Sequence, residues 1–278
     1  MIGVVFRWFD RRPSSDSIRW SRRLLAAGSA LAILETSVLF VRILSGETIR
    51  VSRFDSVAVT PVTVAVVLGA WAVGTIALLV DPLRVRVGWL TWVGAAAAGL
   101  LDRQTLAGEV IYLVAVFSFL HWLHALLEAG GSEVSGAPLR AIQWQISVVF
   151  GWTTFAKMNP IFLSGGILSV AFDGPVPWPD ALRTQPVLMA MAVATVLFEV
   201  ALAVGLWLPG LRRSAVAATV LFHLFIVLFL SPTLALIAFA LVMGTGYVLF
   251  AAEPWEYVDG DAVPAQYWAR PRATTPDQ

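Results

Sequence analysis

Residues 145–160 read QISVVFGWTTFAKMNP, and IFLSGGILSVAF follows at 161–172. An apolar run suited to a bilayer ends on a lysine, an asparagine and a proline, and a second apolar run then resumes. Lys157 is the one lysine among 19 basic side chains; all the others are arginine. Pro160 biases Asn159 away from helix, which predicts that the span closes there.

The composition around this stretch is that of a membrane protein. The chain is 58% hydrophobic and 13% charged, with mean hydropathy +0.79. A soluble domain has about 45–50% apolar and about 25% charged residues. Net charge is +1, which gives no basic surface for nucleic acid. The absence of cysteine excludes disulfides, thiol nucleophiles and thiolate metal sites. Three histidines with no HExxH-like spacing point to no metal, and no Walker or GxGxxG pattern opens a helix after a strand. The first residues lack the continuous apolar core and small-residue cleavage site of a signal peptide, so 1–23 reads as a retained amphipathic arm on the cytoplasmic side.

Eight apolar segments are predicted to span: 24–44, 57–80, 87–101, 106–127, 141–157, 185–208, 214–230 and 233–251. The third is short enough to be tilted or re-entrant. The Pro- and Gly-broken segment 160–184 has an apolar first half that dips back into the protein at membrane depth, where irregular backbone needs protein or a water cavity to satisfy it. The expected fold is thus all-α: a polytopic helical bundle of about eight transmembrane helices with a broken segment after the fifth. The membrane domain is 24–251, with a polar tail at 252–278. With the N-terminus inside, thirteen arginines fall on cytoplasmic pieces and four, Arg50, Arg53, Arg103 and Arg183, fall outside. This bias predicts both termini in the cytoplasm and Lys157 near the outer surface.

Five ionisable residues lie at membrane depth: Glu35, Glu109, Lys157, Glu199 and His223. Lys157 has two readings. It can snorkel to the interface, as can arginine. Or it can serve as an amine that loses its proton on burial, which arginine cannot. A carboxylate beside it, such as Glu109, would oppose that loss, so the balance of burial and pairing decides between a base and half of a structural ion pair. Glu109 and Glu199 also read as pairing groups, and His223 as a core histidine bonded to a neighbouring helix. His121 and His124 fit an interfacial belt with Trp122. A cavity is expected in the outer half, bordered by the fourth, fifth and seventh spans and roofed by part of 160–184. Glu109, Tyr112, Trp152, Thr153 and Asn159 are its candidate lining.

LRAIQWQISVVFGWTTFAKMNPIFLSGG at 139–166 resembles the central signature of the HTTM (horizontally transferred transmembrane domain) superfamily, which is related to vitamin K-dependent gamma-carboxylase. The shared pattern is an arginine-started span, an aromatic-glycine region, a lysine, a short polar turn and an apolar stretch ending in glycine. FEVALAVGLWLPGLRRSAVAATVLFHLF at 198–225 is similar to the family's glutamate-bearing span, basic hairpin and histidine-bearing span, and GYVLFAAEPWEY at 246–257 to its closing aromatic segment. WSRRLLAAGSALAILETSVLF at 20–40 resembles the opening of the branch that matures sporulation-delaying-type peptide toxins. In two places the chain departs from the carboxylase: Ala156 replaces the first of two adjacent lysines, and Glu109-Val110 stands where a histidine is found.

The resemblance implies a bacterial plasma-membrane enzyme that modifies or matures a secreted peptide. Lys157 would be its base, with Glu199 and His223 in support. A reduced vitamin K or menaquinone-type quinol would be the co-substrate, and a small accessory subunit a further partner beside peptide and membrane lipid. Two other readings remain open: a non-catalytic membrane assembly or export factor for a peptide or partner subunit, and a small-molecule transporter. A transporter would be favoured by inverted repeats with paired broken spans, and only one broken region is present.

Overall fold

A computed structural model describes residues 11–48, 59–101, 108–132, 136–252 and 256–257. The first ten residues of the arm, the tail beyond Tyr257, and Arg50, Arg53 and Arg103 lie outside the described residues. What is described is a helical bundle: α1 Ser15–Leu44, α2 Pro61–Ala77, α3 Asp81–Val87, α4 Trp89–Leu101, α5 Gly108–Ala129, α6 Ala137–Lys157, α7 Pro160–Leu163, α8 Gly166–Ala171, α9 Gln185–Gly205, α10 Arg212–Phe229 and α11 Thr233–Ala251. Each of the eight apolar segments falls on one of these helices. Among the described residues, five (α1, α5, α9, α10 and α11) are long and apolar enough to cross a membrane. This is the make-up of an integral membrane protein. The 13 residues of α4 extend about 20 Å, less than the roughly 30 Å hydrocarbon core.

The last helix ends at Ala251, as expected, but the N-terminal boundary differs. Residues 15–23, read as part of a separate arm, are the first turns of α1, started by the Ser14 side chain accepting from Ser17 N. Arg11 and Arg12 form a two-residue antiparallel ladder with Tyr257 and Glu256, so the two chain ends meet at one end of the bundle.

In lipid, apolar burial offers little drive for helix association, and close packing plus interhelical hydrogen bonds take over. The longest helix, α1, packs most extensively on α11, where a Cβ on Gly28 would lie 2.6 Å from Val242 Cγ2. On its other side α11 meets α6, with Gly246 against Ile146. α2 and α4 cross through Gly74 and Gly94; a Cβ on Gly94 would fall 2.6–2.7 Å from Trp71. Trp71 Nε1 donates to Ser29 Oγ at 2.8 Å, and Ser29 Oγ lies 2.9 Å from Thr75 Oγ1, locking α2 to α1.

At the arginine-rich end, Arg22 of α1 and Arg84 of α3 both reach Asp81, at 3.2 and 3.0 Å, and Arg84 also reaches Glu128 of α5 at 3.5 Å. His121 and His124, read as interfacial, are buried instead. Ser21 Oγ donates to Thr245 O at 3.0 Å, so the 3.0 Å contact from His121 Nε2 is a donation to Ser21. A polar belt position thereby becomes a three-helix tie.

The aliphatic exterior fits a lipid-facing surface: Val62, Val66, Leu197, Val204 and Leu221 are all exposed. Adding a Cβ at the α2–α4 crossing forces Trp71 to move. Gly94→Ala is expected to cost about 1–3 kcal/mol, read by thermal unfolding in detergent. Gly69→Ala meets nothing within 4 Å and should leave stability equal or raise it by up to about 1 kcal/mol.

Candidate functional site

The break that opened the sequence reading organises the site. α6 ends at Lys157. Asn159 is extended, with φ −125° and ψ 154°, as its place before Pro160 requires. Its Oδ1 accepts from Phe162 N at 2.9 Å, and its Nδ2 donates to Ala156 O at 2.7 Å. One side chain thus serves the last carbonyls of one helix and the first N–H groups of the next. Asn159 is therefore a helix cap and is not among the residues around the cavity for which it was a candidate.

Beyond the break the chain stays in the bundle. Phe162 and Leu168 pack on Leu188, Ala192 and Val196, along the first half of α9. Gly165 starts α8 at φ 80°, and a Cβ there would meet Leu188 at 2.6 Å, so both conformation and space require glycine. Phe172 and Trp178 then cover Phe225 and Phe229 of α10. Lys157 is partly buried and pairs with the buried Glu199, which lies well along α9. Residues 160–171 continue along α9 beyond Lys157, so the chain does not leave the bundle at that lysine.

Three features that attract positive charge converge on Lys157 Nζ. Glu199 Oε1 is in direct contact. The residue occupies the last turn of α6, the negative end of the helix dipole. The Phe162 ring lies 5.8 Å away. Glu109, the partner weighed from the sequence, lines a different place.

Glu199 is buried, and so are His223 on α10, Tyr247 on α11 and Thr154 one turn before Lys157. The His223 ring sits 5.6 Å from the Tyr247 ring and 5.5 Å from Phe239. Two contacts are thus present, the Lys157–Glu199 pair and the His223–Tyr247 ring contact. His223 Nδ1 lies 2.9 Å from Thr219 O, which can only accept, so Nδ1 carries hydrogen. Among the described residues, Glu199 Oε2, His223 Nε2, Tyr247 Oη and Thr154 Oγ1 are buried without a hydrogen-bond partner. Buried polar atoms are nearly always satisfied, and Glu199 Oε2 leaves the ion pair with an unused acceptor. His223 and Tyr247 also line a groove of about 330 Å³ between α1, α10 and α11, with Leu24, Leu224 and Gly244.

A second space, about 480 Å³, lies between α5, α6 and α11. Glu109, Tyr112, Trp152 and Thr153 line it together with Gln145 and Phe239. Its third wall is α11 rather than the helix of the seventh span, no residue of 160–184 is among those lining it, and neither Lys157 nor Glu199 reaches it. The single cavity expected from the sequence is thus two places, the ion-pair centre and this cleft. Tyr247 was missed as a site residue. Its signal was a lone phenol between Gly246 and Val248 in an otherwise apolar helix.

No protein-family model matches the chain, and neither does any curated protein or solved structure.

Lys157→Met strands the buried Glu199 carboxylate and is expected to destabilise by about 3–5 kcal/mol in detergent, whereas removing both charges is far milder. Glu199→Gln leaves a partly exposed lysine and should cost less. The double variant should recover most of the Lys157→Met loss, and an additive double variant would show that the two residues act independently.

Proposed function

We propose that the chain is a membrane-embedded acid–base enzyme that modifies or matures a secreted peptide, with Lys157 and Glu199 as its proton-handling pair. The observation that carries this reading is the ion pair at a helix break inside the bundle, flanked by unpartnered Glu199 Oε2, His223 Nε2 and Tyr247 Oη. Ionisable groups at membrane depth are costly and are kept for function or pairing; a pair that served stability alone would have its remaining oxygen satisfied. Transfer of the Lys157 proton to Glu199 would leave a neutral amine able to take a substrate proton, with the Glu199 carboxyl holding the transferred one. Tyr247 can donate to a developing negative charge. The peptide substrate follows from the resemblance to the gamma-carboxylase-related superfamily.

The same resemblance implies a menaquinone-type quinol. The groove with His223 and Tyr247 among apolar side chains fits a lipid-soluble ring bearing hydrogen-bonding groups. Leu24 and Leu224 would flank such a molecule, and when bound it would supply an ionisable hydroxyl and reducing equivalents.

The bundle is proposed to cross the bacterial plasma membrane eight times, with both termini cytoplasmic. The ladder between residues 11–12 and 256–257 supports an even number of crossings, and the arginine bias supports the orientation. A C-terminal tag should be unreachable from outside intact cells; labelling without permeabilisation would overturn this topology.

A second reading has its own support. Lys157 is held by Glu199, a helix end and an aromatic ring, which suits a structural pair in an assembly factor. Lys157→Arg separates the two, because arginine keeps charge and reach but not the ability to exchange a proton. Intact masses of secreted peptides would be compared in cells making equal membrane levels of wild type, Lys157→Arg and Glu199→Gln. The enzyme reading expects a peptide whose covalent state depends on the wild type and is lost in both variants. Full maturation with Lys157→Arg would leave the assembly factor.

A further inference from the structure

We infer that the cleft between α5, α6 and α11 is a binding site for an amine-bearing amphiphile: an ammonium group on an apolar chain. Helical spacing builds two facing walls. Glu109, Tyr112 and Leu113 share one face of α5. Gln145, Val148, Val149, Trp152 and Thr153 recur at three- and four-residue intervals on α6. Phe239 of α11 closes the space from a third side.

The chemistry of these walls is selective. Glu109 supplies the carboxylate, and among the described residues it forms no ion pair. Tyr112, Trp152 and Phe239 bring three aromatic rings to the same space, and a carboxylate with aromatic faces is a recognition set for organic cations. The remaining contacts, Leu113, Val148 and Val149, are aliphatic and accept a hydrocarbon chain. Gln145 Nε2 donates to Tyr112 Oη at 3.4 Å, which ties the phenol across the cleft to α6. An interfacial aromatic belt would put tryptophan and tyrosine at the headgroup level, but it would not assemble them with a carboxylate around one space on three helices. An ammonium group matches the Glu109 carboxylate, and an anionic or neutral amphiphile of the same chain does not.

This assignment is independent of the proton-handling role given to Lys157 and Glu199, which lie outside the cleft. The full chain in a neutral detergent would be titrated with n-octylammonium and, separately, with n-octanol, which has the same chain without the charge. Thermal unfolding and tryptophan fluorescence would be the readouts. Octylammonium is expected to raise Tm in a saturable way, and octanol is not. Glu109→Gln, at an exposed position that tolerates a neutral isostere, is expected to weaken octylammonium about tenfold or more. Trp152→Leu should weaken it by a smaller factor, and Lys157→Arg should leave it unchanged. Equal stabilisation by octanol, or undiminished octylammonium binding in Glu109→Gln, would overturn the assignment. So would a lysine-containing apolar peptide that stabilises the protein when octylammonium does not, since the occupant would then be a polypeptide.

Discussion

The contact between Lys157 and Glu199 ties together parts of the chain that share no local reason to meet. Either group alone at membrane depth would be a heavy cost, so the register of α6 against α9 is bound to their coincidence. That register sets the C-terminal end of α6 beside Glu199, well along α9 rather than at its start. The span must then be finished by other means, and α7 and α8 do so by packing Phe162 and Leu168 along α9. Asn159 makes the interruption affordable to the backbone by serving both helix ends. The break, the glycine at 165 and the buried polar centre therefore belong to one arrangement.

Elsewhere the bundle is held by steric fit and local polar ties. Gly28 and Gly246 let α1 and α6 approach α11 closely, and Gly94 does the same for α4 against α2. Ser21, Ser29 and His121 supply hydrogen bonds that lipid cannot replace. Packing of this kind tolerates changes on the aliphatic exterior and resists even one added carbon at a crossing. It also gives the polar centre rigid walls, since Ile146 and Phe150, one turn apart on α6, meet Gly246 and Tyr247 on α11.

Hydropathy made the helices legible, and Pro160 made the break legible, because both signals are local. Long-range register was not. Glu199 lies 42 residues from Lys157, and nothing in the intervening sequence states that these two side chains share a depth. Glu109 looked an equally good partner while the helix ends were read as interface positions. His121 and His124 looked interfacial for the same reason, beside Trp122, until the approach of α1 and α11 buried them. Tyr247 was hidden by its own helix, which is so uniformly apolar that a single phenol reads as packing. The cleft residues on α5 and α6 were visible because helical spacing reports a shared face, but the third wall, Phe239, comes from a helix that no periodicity links to them.

The extensive seam between α1 and α11 has a consequence for biogenesis. Among the described residues, the helix earliest in chain order finds its main partner in the latest. Until α11 is made, the face of α1 carrying Gly28 has no occupant, and the centre containing Tyr247 does not exist. Closure of this seam therefore waits for α11, while α2, α4 and α5 can already pack on one another. A truncated product lacking the final helix would be inserted yet open along its central seam, a form that quality-control proteases can distinguish from the finished protein.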